Sequence, residues 1–120
     1  MRKNLVRDES YAFALKVVRF CRTLKDRKIG PLQVQLLKSG TSIGANVEEA
    51  LAAQSRADFI AKMSIASKEA RETNYWLRIF RDSETVPEEQ VLPLLYKSED
   101  LVNILTSIVK SSRNKQPPEC

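Results

Sequence analysis

The chain has 120 residues, is 42% hydrophobic and 29% charged, and carries three glycines, five prolines and a net charge of +5, which points to one soluble domain made of long helices rather than strands and turns. It has two cysteines and no histidine, which excludes a Ser-His-Asp hydrolase and leaves too few ligands for a zinc site of about four Cys or His. No apolar run approaches the roughly 18 residues of a membrane span, and the basic start MRKNLVRDES lacks the apolar stretch of a signal peptide. A cytoplasmic location without a membrane partner is the default expectation, and in that reducing compartment a disulfide between Cys21 and Cys120 is not expected.

In chain order, the first helix is expected from about Arg7 to Lys28. Phe13, Val17, Phe20 and Leu24 recur at spacings of four, three and four, the apolar stripe of an amphipathic helix. Ala14, Val18 and Cys21 widen it, while Lys16, Arg19, Arg22 and Lys25 take mainly other faces. The first 28 residues hold nine basic side chains against Asp8, Glu9 and Asp26, so they carry the whole positive excess. Such a segment is the electrostatic footprint of a polyanion binder, with Lys16, Arg19, Arg22, Lys25, Arg27 and Lys28 as the candidate contacts. The plainer reading is a solvated face that keeps the protein soluble.

Gly30-Pro31 ends one helix and starts the next, with glycine after a C-terminus and proline in a first turn. The second helix, about Pro31 to Ala53, packs through Leu32, Leu36, Gly40 or Ile43, Val47, and Ala50 or Leu51. Gly40 and Gly44 are four apart and share a face. Each costs roughly 1 kcal/mol against alanine in a helix interior, a cost suited to close approach by another backbone. The third helix offers matching small residues at Ala61, Ala66, Ser67 and Ala70, so it is the expected partner of that face.

The third helix begins after Ser55, whose hydroxyl and Asp58 three residues on form a variant capping box. Its stripe is Phe59, Met63, Ala66, Ala70, Thr73, Leu77 and Phe80. Pairing about the turn at Gln54-Ser55 sets Asn46 roughly opposite Met63 and puts Glu49 within reach of Lys62, a polar link that would fix register if buried. The fourth helix starts near Pro87, with Glu88 and Glu89 suited to its positive end. Pro93 lies about two turns in, where it either kinks the helix or delays its start. Val91, Leu94, Leu95, Leu101, Val102, Leu105, Ile108 and Val109 form its stripe. After Lys110 the polar, proline-bearing SSRNKQPPEC reads as a disordered tail. Four long helices with short connections make an all-α, antiparallel up-down-up-down four-helix bundle, one domain over residues 1–110.

Fragments that suggest chemistry do not hold together. Ser107-Ile108-Val109-Lys110 fits Ser-x-x-Lys, but its enzymes need a larger fold and two further motifs. Ser39 to Gly44 lacks both the Gly-Lys-Ser/Thr and the preceding strand of a phosphate loop. Glu48, Glu49, Glu69 and Glu72 lack the histidines of a di-metal bundle. No cofactor, metal or small-molecule substrate is therefore expected. Tyr75 and Trp76 could stack on bases, but at helical spacing they fit a core or a subunit contact better. Ile65 and Ile79 point away from the centre of the third helix's stripe. With Tyr75 and Trp76 they form a candidate interface between copies, because a contiguous exposed apolar patch is an association liability. Nothing in the spacing counts the copies, and a two-fold dimer is the commonest outcome.

Leu37 to Ala50, LKSGTSIGANVEEA, resembles the signature of the four-helix bundle proteins known as 23S rRNA intervening sequence proteins. The likeness continues through Ser55, Ala57 to Ile60, Lys62, Ile65-Ala66, Lys68 to Ala70, Glu72-Thr73 and Tyr75 to Leu77. It reaches Tyr11, Phe13 and Ala14 upstream and Leu105 to Ile108 downstream. The resemblance implies a bundle assembled as a ring-shaped homopentamer, with no enzymatic activity. Some relatives are encoded inside insertions in large-subunit ribosomal RNA genes. A related group serves diversity-generating retroelements, working with a reverse transcriptase and basic enough to bind nucleic acid. The partners implied are further copies of the chain, RNA or DNA, and a protein such as a reverse transcriptase. Where the family often has Glu, this chain has Asn74, a departure expected to weaken a polar contact there.

Overall fold

The computed structural model describes residues 4–24 and 29–114. Four helices follow one another: α1 (Leu5–Thr23), α2 (Gly30–Leu51), α3 (Arg56–Asp82) and α4 (Glu88–Asn114). Each helix packs on two neighbours, in the cyclic order α1, α2, α3, α4, while among the described residues the backbones of the diagonal pairs stay apart and only side chains meet across the centre. This is the expected antiparallel four-helix bundle.

The helix ends follow from local chemistry. Asn4 caps α1 by accepting from the Arg7 amide at 3.0 Å, with Asp8 in the first turn. α1 stops at Thr23, where Leu24 turns extended. The expected continuation to Lys28 fails at that point, and Lys25 to Lys28 lie outside the described residues. Pro31 sits in the first turn of α2. Ser55 Oγ accepts from the Asp58 amide at 3.0 Å, the predicted cap of α3. Ser55→Ala is expected to cost about 1 kcal/mol of stability, measured as a shifted urea midpoint with an unchanged slope. Between α3 and α4 Glu84 takes a left-handed φ of 57°, a conformation non-glycine residues adopt at a cost. Pro93 lies inside α4 rather than delaying it. It removes one amide donor, and the Glu89 carbonyl left without it belongs to an exposed residue. α4 also runs past Lys110 through Asn114, four residues beyond the expected end; the rest of the expected tail lies outside the described residues.

The core is close to the predicted stripes. Phe13, Val17, Leu36, Ile43, Val47, Met63, Ala66, Ala70, Leu77, Phe80, Leu95 and Leu105 are buried. Phe20 and Phe80 meet edge to face, with ring centroids 5.8 Å apart. Two positions depart: Ile60 is buried while Phe59 is half-buried against the core, and Val18 faces outward; of the alternatives Ala50 and Leu51, Ala50 is the buried one. The buried hydroxyls of Ser10, Ser39, Thr73 and Ser98 donate to carbonyls one turn back on their own helices; of the four, Ser98 also links two helices, accepting from Asn74 of α3. Cys21 and Gln33 do join α1 to α2: Gln33 Nε2 donates to the Cys21 carbonyl at 2.8 Å. Burial pushes the Cys21 thiol up to about 11, which keeps it protonated at neutral pH and a poor nucleophile.

The glycine face does not meet α3. A Cβ on Gly40 would lie 2.9 Å from both Val17 methyl groups, and one on Gly44 would lie 3.3 Å from the Ser10 carbonyl oxygen. The close neighbour is α1. Gly44 lets the α1 backbone approach, and Gly40 makes room for a β-branched side chain. The Glu49–Lys62 link does form, at 3.1 Å between α2 and α3, but at the surface, with the Glu49 side chain 59% exposed. Asn46 does not reach across at all; its amide donates to the Ser42 carbonyl of its own helix at 2.9 Å. Register is therefore not set by a buried polar link at these residues, and a surface pair of this kind contributes about 0–1 kcal/mol.

Candidate nucleic-acid interface

Lys16, Arg19 and Arg22 are all exposed on α1. Three-residue steps move each about 60° around the helix, so Lys16 and Arg22 end about 120° apart. The structure accordingly brings Lys16 and Arg19 together but sends Arg22 to a different side. Lys16 and Arg19 flank a shallow groove of about 430 Å³ between α1 and α4, closed by Phe20, Thr23, Gln90, Pro93 and Leu94. No carboxylate among the described residues pairs with Lys16, Arg19 or Arg22; the nearest ion pair between these helices, Lys97 to Glu9 at 3.3 Å, uses other side chains. Lys25, Arg27 and Lys28, the remaining predicted contacts, lie outside the described residues.

A second cationic cluster was not predicted. Lys68 and Arg71 on α3 and Lys110 and Arg113 on α4 line one groove between those helices. The signal was present, since each pair is spaced by three and so shares a helical face. The charge count hid it, because the chain beyond residue 28 is close to neutral overall.

The candidate interface residues on α3 divide. Ile65 and Tyr75 are exposed, at 41% and 49%. Trp76 and Ile79 are half-buried, and Trp76 packs against the core. Ile79 therefore points less far outward than its place in the pattern suggests. Trp76 Nε1 donates to Glu72 at 3.1 Å, and Arg78 lies 5.8 Å over the Tyr75 ring. Further apolar exposure lies on α1, where Tyr11, Leu15 and Val18 follow one another at spacings of four and three on one face. Asn74 is well used: it donates to Ser98 Oγ at 2.9 Å and accepts from Arg78 at 2.9 Å. The expected weakening at this position is met by a contact of its own to α4.

Among the described residues, no group of Cys, Asp and Glu gathers as a metal site, and no helix is long and apolar enough to cross a membrane. The fold and its surface define an all-α bundle whose distinctive features are unpaired cations and exposed apolar side chains. Residues 2–107 match the family described as 23S rRNA-intervening sequence protein, and the chain belongs to that family. It is also similar to a solved protein of unknown function from the S23 ribosomal protein family of Bacteroides thetaiotaomicron. That likeness has 43% identity and a TM-score of 0.82, covering 88% of this chain and 98% of that one. No curated protein matches.

Proposed function

We propose that this protein is a non-enzymatic, oligomeric four-helix bundle that binds nucleic acid, RNA or DNA, through the basic surface of α1. The observation that carries this reading is the exposure of Lys16, Arg19 and Arg22 without a carboxylate partner among the described residues. Cations held this way are free to neutralise phosphates and release counter-ions. Phosphate contacts of this kind give affinity and register but no base sequence, so binding is expected to depend on salt and little on sequence. Titrating labelled RNA and DNA duplexes across a salt series tests it. The expected result is a log affinity that falls linearly with log salt; no complex at low salt would end the reading.

Self-association is the second part of the proposal. Exposed Ile65 and Tyr75 on α3, and Tyr11, Leu15 and Val18 on α1, supply apolar surface for copies to bury. A closed ring uses two different patches of each subunit, head to tail, and α1 and α3 sit diagonally across the bundle. The family resemblance favours five copies. Light scattering coupled to size exclusion is expected to give a pentamer. A single-chain mass at micromolar concentration would defeat the interface, and a dimer would defeat the ring. The same apolar surface favours one rival, an assembly module that contacts another protein such as a reverse transcriptase without touching nucleic acid itself.

A further inference from the structure

We infer that the groove between α3 and α4 is a second phosphate-backbone site, built from Lys68, Arg71, Lys110 and Arg113; this rests on the reading that the protein binds nucleic acid. The four cations line one groove of about 370 Å³ into which no carboxylate projects. None of the four is in an ion pair among the described residues. Four like charges gathered from two helices repel one another; Glu69 lies within Coulombic reach of Lys68 but does not line the groove, so the offset inside it is incomplete. An anion from outside relieves that repulsion.

The surrounding chemistry selects the kind of anion. Arg71 donates to Thr106 Oγ1 at 2.8 Å and Arg113 approaches Ser64 Oγ at 3.5 Å. These bonds orient the two guanidinium groups across the groove and leave other N–H donors unused, a fork suited to phosphate oxygens. Hydroxyl groups beside the arginines add neutral phosphate donors. Shape argues for a chain over a single small anion: past Arg71 the groove continues along Asn74, Arg78 and Asn103, where Glu99 is the one acid. A polymer of regularly spaced phosphates fits an elongated cationic trough better than one compact ligand does.

This trough is separate from the α1 surface. Pro93, beside Lys16 and Arg19, and Lys110 are 17 residues apart on α4, about 25 Å along the helix, and α4 lies between the two clusters. A nucleic acid engaging both would cross α4, and its affinity would exceed that of either cluster alone.

The test uses the full chain with fluorescein-labelled RNA and DNA duplexes of one sequence, titrated across a salt series. The variant K68Q/K110Q removes two cations that make no hydrogen bond or ion pair among the described residues, so folding is expected to persist; its melting curve checks this. Loss of two phosphate contacts should reduce the magnitude of the log–log salt slope by about 2, on either duplex. R71Q/R113Q should do the same. If both variants bind as wild type while R19E/R22E loses affinity, the groove is overturned and the α1 surface stands. If wild type forms no complex at low salt, both fail. If polyglutamate displaces the duplex as well as unlabelled RNA does, the groove recognises acidic chains and the phosphate assignment is overturned.

Discussion

Gly40→Leu is expected to destabilise the bundle by about 3 kcal/mol, the upper range for overpacking, and to lower the melting temperature by roughly 10 to 20 °C. A bare Cβ at this position already sits 2.9 Å from both methyl groups of Val17. Val17 is fully buried, and a β-branched side chain on a helix has one strongly preferred rotamer, so it cannot swing aside. The leucine must push α1 off α2, opening the layer that also holds Phe13 and Ile43. Replacing glycine returns about 1 kcal/mol of helix propensity, which offsets part of the loss; Gly40→Ala keeps the close Cβ contact but adds no atoms beyond it, so its cost is smaller than that of leucine. Val17→Ala in the Gly40→Leu background should recover stability beyond the sum of the single changes, because the two sites share one space. Thermal unfolding of Gly40→Leu that matched wild type would show that the close approach of α1 constrains nothing.

Reversing Lys16, Arg19 and Arg22 to Glu should reduce duplex affinity at low salt by on the order of tenfold or more, and the magnitude of the salt slope by up to about 3. Stability should hardly change. These side chains are exposed and make no ion pair among the described residues, and such surface substitutions usually fall within about 0.5 kcal/mol. The separation of the two readouts is what gives the triple variant its force. Full affinity in a normally folded variant would move the nucleic-acid contact off α1.

Much of the fold was legible because its determinants are local. The Ser55 cap, Pro31 in a first turn and the four apolar stripes each depend on a few neighbouring residues; the cap and the proline appear as read, and the stripes nearly so. Errors arose where the answer depends on what lies opposite. Periodicity places Gly40 and Gly44 on one face of α2 but does not say which neighbour that face meets. Both α1 and α3 carry small residues, and Val17 and Ser10 of α1 turn out to be the partners. Phe59 and Ile60 are adjacent around α3, so a stripe can start from either; packing buries Ile60. α4 continues past Lys110 because Ser111 to Asn114 are polar but contain no breaker, and polarity alone does not stop a helix.

The candidate site was legible by half. The basic residues of α1 stand out because they are concentrated in a short segment with few acids. The α3–α4 groove is assembled from residues about 40 positions apart, Lys68 and Arg71 with Lys110 and Arg113. Nearby Glu69 and Glu72 balance the sum along the chain without entering the groove. Burial, with Glu72 beside it, holds the Glu69 carboxyl above its usual range. Charge summed along a sequence is blind to which side of a helix it occupies.

The most direct test of binding through α1 is lysine acetylation footprinting of the folded chain with and without a saturating RNA duplex at low salt. Lys62 and Lys97, each paired with a glutamate, serve as internal references. Binding through α1 predicts strong protection of Lys16 by RNA, with the reactivity of Lys62 and Lys97 little changed. Lys16 reacting equally with and without bound RNA would contradict it.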